Sequence, residues 1–159
     1  KGFPELIIHT NKDYVDLITY VAKQWEEIGI PVRIELAETA TLREKMRLSE
    51  YQIFRASWIA DYPDEESFLT VFYSKNPAPP NYTRFKNEAF DALYETAIKE
   101  TNELKRMQYY QQMDQIVIDE APVIFLFYDQ TAWFTQNHIL NIKPNPINLL
   151  KLDGVTELD

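Results

Sequence analysis

The densest run of residues able to do chemistry is Arg55-Ala56-Ser57-Trp58-Ile59-Ala60-Asp61-Tyr62-Pro63-Asp64, with Glu65 and Glu66 directly after it. A carboxylate there could receive a cationic group, and a guanidinium could grip a carboxylate through two parallel N–H donors. Two carboxylates facing each other across about 5–10 Å would instead suit a glycosidase, so Asp61 with Asp64 or Glu65 also supports a carboxylate-based hydrolase. A plainer reading is open too. Asp61 and Asp64 serve as turn and cap residues, Arg55 pairs with a surface carboxylate, and Trp58 belongs to the core. Glu65 and Glu66 then fall in the first turn of a helix, where negative charge suits the positive end of the dipole.

Other chemistry has less to build on. The chain has no Cys, which removes thiolate nucleophiles, disulfides and cysteine metal sites. Its two histidines, His9 and His138, are far apart in sequence and form neither a metal-ligand spacing nor a recognisable Ser/His/Asp triad. Only 3 glycines are present, at positions 2, 29 and 154, so no glycine-rich phosphate loop can form. No cofactor is expected. The aromatics Tyr109, Tyr110, Trp133 and Phe134 read as core by default.

The elements that must position the Arg55–Asp64 run can be read from periodicity. Glu5–His9 reads as a short buried strand. Tyr14, Leu17, Ile18, Val21, Trp25 and Ile28 recur at helical spacing and stop at Gly29. Pro31–Leu36 alternates as a second strand, so the opening is a strand–helix–strand unit, expected to be parallel and right-handed. Thr39–Leu48 reads as a helix, with Thr41 and Glu44 at capping-box spacing. Tyr51–Trp58 reads as a third strand, with Arg55 and Ser57 on one face and Phe54, Ala56 and Trp58 on the other. Asp61 then lies just beyond the strand, where open α/β sheets bind ligands.

Helices are predicted over Asp64–Ser74, Glu88–Lys99 and Asn102–Asp119. Pro122–Tyr128 is an unbroken apolar run of the kind found in a central strand covered on both faces. From Ala132 onward, strand fragments and irregular chain are expected. The fold class is α/β with a mixed sheet.

Composition bounds the partners. Of 159 residues, 45% are apolar and 26% charged, as in an ordinary folded domain. The net charge is −9, and no Lys/Arg stripe overrides it, so nucleic acid and anionic membrane surfaces are poor partners. No apolar run approaches the roughly 20 residues of a membrane-spanning helix. The chain begins with Lys1 rather than Met and reads as part of a longer protein.

Several segments carry a family resemblance. "FRASWIADYPDEESFL" resembles the Trp-x-x-Asp segment of the oligopeptide- and dipeptide-binding proteins of ABC importers, solute-binding family 5. Asn81-Tyr82-Thr83-Arg84-Phe85 resembles that family's Asn-Tyr-x-x-Phe/Trp stretch, and Glu88–Leu93 its following x-x-Phe-Asp-x-Leu helix. Lys105–Asp119 with "APVIFLFY" resembles its later helix and apolar strand, and Leu6–Leu36 fits its opening unit.

The resemblance is to the C-terminal part of such proteins. It implies a mixed-sheet lobe portion of a two-lobed, type II periplasmic-binding-protein fold, with residues 1–159 a single partial domain and the other lobe absent. It also implies that Asp61 receives a peptide α-ammonium, that the main chain at Trp58 and Ile59 pairs with the ligand backbone, and that Arg55 lies near the ligand carboxylate. The implied protein is a non-enzymatic, monomeric binder of a small peptide or related solute. It would be periplasmic or otherwise extracytoplasmic, lipid-anchored in some full-length forms, and would deliver its ligand to an inner-membrane ABC permease.

Overall fold

The computed structural model describes residues 2–145 and 149–158. The chain divides into two compact units. The first comprises the chain up to Trp58 together with Thr70–Asp91, and the second comprises Ile59–Leu69 together with the chain from Ala92 onward.

The first unit is built on a parallel sheet. Its strands are β1 (Leu6–Thr10), β2 (Val32–Leu36) and β3 (Ile53–Phe54), in the order β2-β1-β3. β1 pairs with β2 from Leu6↔Val32 to Thr10↔Leu36, and with β3 at Ile8↔Ile53 and His9↔Phe54. A 3-10 turn (Lys12–Tyr14) leads into α1 (Val15–Glu27), which buries Ile18 and Ala22 while Ile8 is buried from the sheet. Gly29, at φ +85°, closes α1. Its N–H donates to the Glu26 carbonyl and the Ile30 N–H to the Trp25 carbonyl, the paired bonds of a Schellman stop.

α2 (Thr39–Arg47) starts earlier than the Thr41–Glu44 spacing suggested, so no capping box forms and Glu38 precedes the first turn. Glu44 is engaged instead by Arg47, whose hydrogen bonds hold its carboxyl below the usual range. The C-terminal carbonyls of α2 are capped from a distance. The Arg84 guanidinium donates to the carbonyls of Met46 and Arg47, placing a cation at the negative end of the helix.

Asn81 explains why the Asn81–Phe85 stretch holds its shape. It is 2% exposed, and its Nδ2 donates to the carbonyls of Tyr73 and Phe85 at 3.2 and 3.0 Å. Its Oδ1 accepts from the Phe85 N–H and the Thr83 hydroxyl. Phe72, Phe85 and Phe90 pack edge to face beside it, with centroids 5.7–6.3 Å apart.

The Asp64–Ser74 helix of the sequence reading is broken up. It appears as one turn, α3 (Glu66–Leu69), then a 3-10 turn (Thr70–Phe72). A helix that continued through Ser74 would join the Ser74 N–H to the Thr70 carbonyl. Asn76 Nδ2 takes that carbonyl, and the Ser74 N–H goes to Asp91 Oδ1. The chain therefore turns away there.

The second unit is organised on α5 (Glu103–Glu120), which starts at Asn102, whose side chain accepts the Lys105 N–H. Tyr110, Met113 and Val117 form its buried stripe. α4 (Glu88–Ala97) runs from the first unit into the second, where Tyr94 and Ala97 are buried. β4 (Ile139–Leu140) and β5 (Thr156–Glu157) form a small antiparallel pair, so parallel and antiparallel pairings fall in separate sheets. The tail is otherwise irregular as far as it is described; positions 146–148 and 159 lie outside the described residues.

Two strand expectations are corrected. Tyr51–Trp58 shortens to the two residues of β3, because among the described residues β1 is the one strand paired with it and their paired positions end at Phe54. Pro122–Tyr128 forms no strand. Among the described residues nothing pairs with it, and Ile124, Phe125, Leu126 and Phe127 are 46–65% exposed. An apolar run becomes a central strand only when other strands flank it.

Candidate functional site

The Arg55–Glu66 run passes from the first unit to the second between Trp58 and Ile59. In the first unit, one residue past the end of β3, the Arg55 N–H donates to the His9 carbonyl at 2.9 Å. The Arg55 guanidinium carbon stacks 3.1 Å from the Tyr14 ring centroid, and Nη1 donates to the Ser57 hydroxyl at 3.4 Å. Stacking occupies the face of the guanidinium and leaves its N–H edge for a carboxylate, the geometry an Arg uses best. Trp58 is half-buried and not a sealed core residue.

Also in the first unit, the carboxyl ends of β1 and β2 border a cavity of about 270 Å³, lined by Asn11, Asp13, Glu38 and Thr39 among others. Asn11 Nδ2 donates to Thr39 Oγ1, and its buried Oδ1 has no hydrogen-bond partner among the described residues.

In the second unit, Ile59 is 74% exposed. The main-chain N–H and C=O groups of Ile59 and Ala60 have no hydrogen-bond partner among the described residues. Asp61 comes next. Its N–H donates to the hydroxyl of Ser67 at 2.9 Å, and Ser67 is buried. The Asp61 carboxylate is exposed and has no ion pair or hydrogen bond among the described residues. An anion held by its backbone with a free side chain is available for a cationic partner.

Asp64 is committed elsewhere. Its Oδ1 accepts the Glu66 N–H at 3.0 Å and the Tyr110 hydroxyl at 2.9 Å, and its Oδ2 pairs with Arg106 Nη2 at 3.2 Å. Burial pushes the Tyr110 phenol pKa up, and the bond to Asp64 adds to the rise, so the group stays a protonated donor. Glu66 accepts a hydrogen bond from the Tyr94 hydroxyl. Of the four acidic residues from Asp61 to Glu66, two are thus bound into the unit, leaving Asp61 and the exposed Glu65 without a partner among the described residues. Both Asp64 carboxylate oxygens are engaged, by the Glu66 N–H and by Tyr110 and Arg106 of α5.

The remaining candidates resolve simply. His9 stacks on Tyr51 at 3.7 Å and pairs with Glu35 at 3.5 Å. His138 pairs with Glu157 at 3.7 Å. Among the described residues, no cluster of three or more His, Asp or Glu is placed to hold a metal ion, and no helix is long and apolar enough to cross a membrane. Tyr110 is buried as expected, but Phe134 is 94% exposed. Sequence reasoning missed Ser67, Tyr110 and Arg106. A signal for the latter pair exists: they sit four residues apart on α5, in line with Met113 and Val117.

Comparison with known proteins accords with this picture. Residues 1–80 match the family described as bacterial extracellular solute-binding proteins, family 5 Middle. The oligopeptide-binding protein OppA of Bacillus subtilis is 26% identical over 139 residues, covering 87% of this chain and 25% of that protein. The periplasmic binding protein DppA of Helicobacter pylori, solved with the peptide STSA, superposes with a TM-score of 0.69 at 27% identity, over 76% of this chain and 24% of DppA. HbpA2 of Haemophilus parasuis has the same fold over 99% of this chain and 32% of its own, with a TM-score of 0.81 at 20% identity. The chain thus spans about a quarter to a third of the length of the relatives it matches. With the parallel β1–β3 sheet, the Trp58-x-x-Asp61 turn and this part of a type II lobe in place, the chain belongs to the family 5 bacterial extracellular solute-binding proteins.

Proposed function

We propose that this chain supplies the amine-receiving part of an extracytoplasmic peptide-binding protein that serves an ABC importer. The observation that carries the reading is the Asp61 carboxylate, free on a loop whose backbone is tied to Ser67. A carboxylate that meets an α-ammonium in a closed, dry cleft forms a charge-assisted hydrogen bond worth about 1.5–3 kcal/mol. The unpaired main chain at Ile59 and Ala60 suits a ligand that adds itself as a strand, which gives affinity without reading side chains. Arg55, stacked on Tyr14 with its edge open, receives the ligand carboxylate. The commitment of Asp64 to Tyr110 and Arg106 favours binding over a hydrolase that pairs Asp61 with Asp64. In this reading the full-length protein is monomeric, lies in the periplasm or is lipid-anchored outside the membrane, and hands its peptide to a permease.

The test is Asp61→Asn in the full-length protein. Asparagine keeps the size and one acceptor oxygen but removes the charge. Tri-alanine should then bind about 30- to 1000-fold more weakly, while N-acetyl-tri-alanine, with no ammonium to pair, should change little. Equal losses for both peptides in calorimetric titration would show that Asp61 does not hold the amine.

A further inference from the structure

Asp61 sits on a loop with no regular structure, yet a carboxylate can select an amine only if it stays put. What fixes the loop lies on another element of the same unit. Asp64, three residues on, uses both carboxylate oxygens, with Tyr110 and Arg106 of α5 as two of its three donors. Ser67 closes the span by accepting the Asp61 N–H, and Tyr94 of α4 holds Glu66. The loop is therefore tied at its start, middle and end. The buried α5 stripe of Tyr110, Met113 and Val117 gives the ties a rigid base.

We propose that Tyr110 and Arg106 are positioning residues for the ligand amine, acting through Asp64 to set where the Asp61 carboxylate stands. This rests on the reading of Asp61 as the amine receiver. Tyr110 contributes direction, because its hydroxyl can only donate to the Asp64 carboxylate. Arg106 contributes charge. By pairing with Asp64 it limits the unpartnered carboxylates of the run to Asp61 and the exposed Glu65. Without Arg106 the Asp64 carboxylate would add a further uncompensated anion three residues from Asp61, and the two would repel each other.

The experiment uses the full-length protein with Tyr110→Phe, which keeps the buried ring and removes only the hydroxyl. Tri-alanine and N-acetyl-tri-alanine are titrated calorimetrically against wild type, Tyr110→Phe, Asp61→Asn and the double variant, with thermal melts to confirm folding. Tyr110→Phe should weaken tri-alanine roughly tenfold, and the acetylated peptide less than about twofold. In the Asp61→Asn background the Tyr110 effect should vanish, since a positioning residue has nothing left to position. Arg106→Lys should keep more of the amine preference than Arg106→Gln.

Equal losses for both peptides, or a Tyr110 effect that persists in full without Asp61, would overturn the positioning role. If Asp61→Asn separates the two peptides and Tyr110→Phe does not, the proposal fails while the amine site stands. If Asp61→Asn itself does not separate them, or wild type binds neither, both fall.

Discussion

At the scale of single residues, His9 is a test of how burial and charge compete. It lies in β1 beside β2, stacked on Tyr51 and 3.5 Å from Glu35. Burial lowers its pKa below the ordinary value of 6.5, and Glu35 only partly offsets this. A folded-state pKa below the unfolded one means the unfolded chain binds more protons on acidification. Stability from neutral His9 is therefore complete above about pH 6.5 and declines as pH falls through the lowered pKa. Urea unfolding of the chain at pH 7.5 and 5.5 should show the loss, and His9→Phe, which keeps a ring against Tyr51, should reduce the pH-dependent difference. An unchanged pH dependence in that variant would remove His9 as its source.

At the scale of elements, the end of α1 depends on one backbone conformation. Gly29 is at φ +85° with nothing within 4 Å of where a Cβ would stand. Gly29→Ala therefore meets no clash, and its effect is that of the left-handed backbone alone, about 1 kcal/mol. A lowered melting temperature without loss of helical signal is expected, with Gly29→Asn milder than Gly29→Ala because Asn tolerates this region. This stop was legible in the sequence, as were α1, α4 and α5, because long amphipathic periodicity and a glycine stop are local signals. The failures share one physical cause. The extent of β3 depends on a neighbour being present, and a helix reaching Ser74 is denied the Ser74–Thr70 bond, because Asn76 and Asp91 take those two groups. The same division runs through the site. Asp61, the proposed amine receiver, is suggested by its position after a strand together with the family resemblance. The link from Tyr110 to Asp64 spans 46 residues and has no local periodicity to betray it.

At the scale of the whole molecule, the chain is a portion of a fold whose relatives are three to four times longer. Its two units each bury a core, around Ile8, Ile18 and Phe90 in one and Met113 and Val117 in the other. A net charge of −9 keeps copies of the chain apart in solution. That charge is not spread evenly along the sequence. From Val123 to Tyr128 there is none, and the side chains of Ile124–Tyr128 lie exposed.

Those exposed residues have a consequence for the chain on its own. Val123-Ile124-Phe125-Leu126-Phe127-Tyr128 is β-branched and aromatic, with no charge and no proline, the composition that stacks into cross-β fibrils. Pro122 on one side and Asp129 on the other then act as gatekeepers, one unable to donate a ladder hydrogen bond and the other adding a repelling charge at every layer. Asp129→Ala should shorten the lag before thioflavin fluorescence rises in a concentrated solution of the 159-residue chain. Phe125→Lys, which places a charge inside the window, should lengthen it; unchanged lag times in both variants would locate the aggregation nucleus elsewhere.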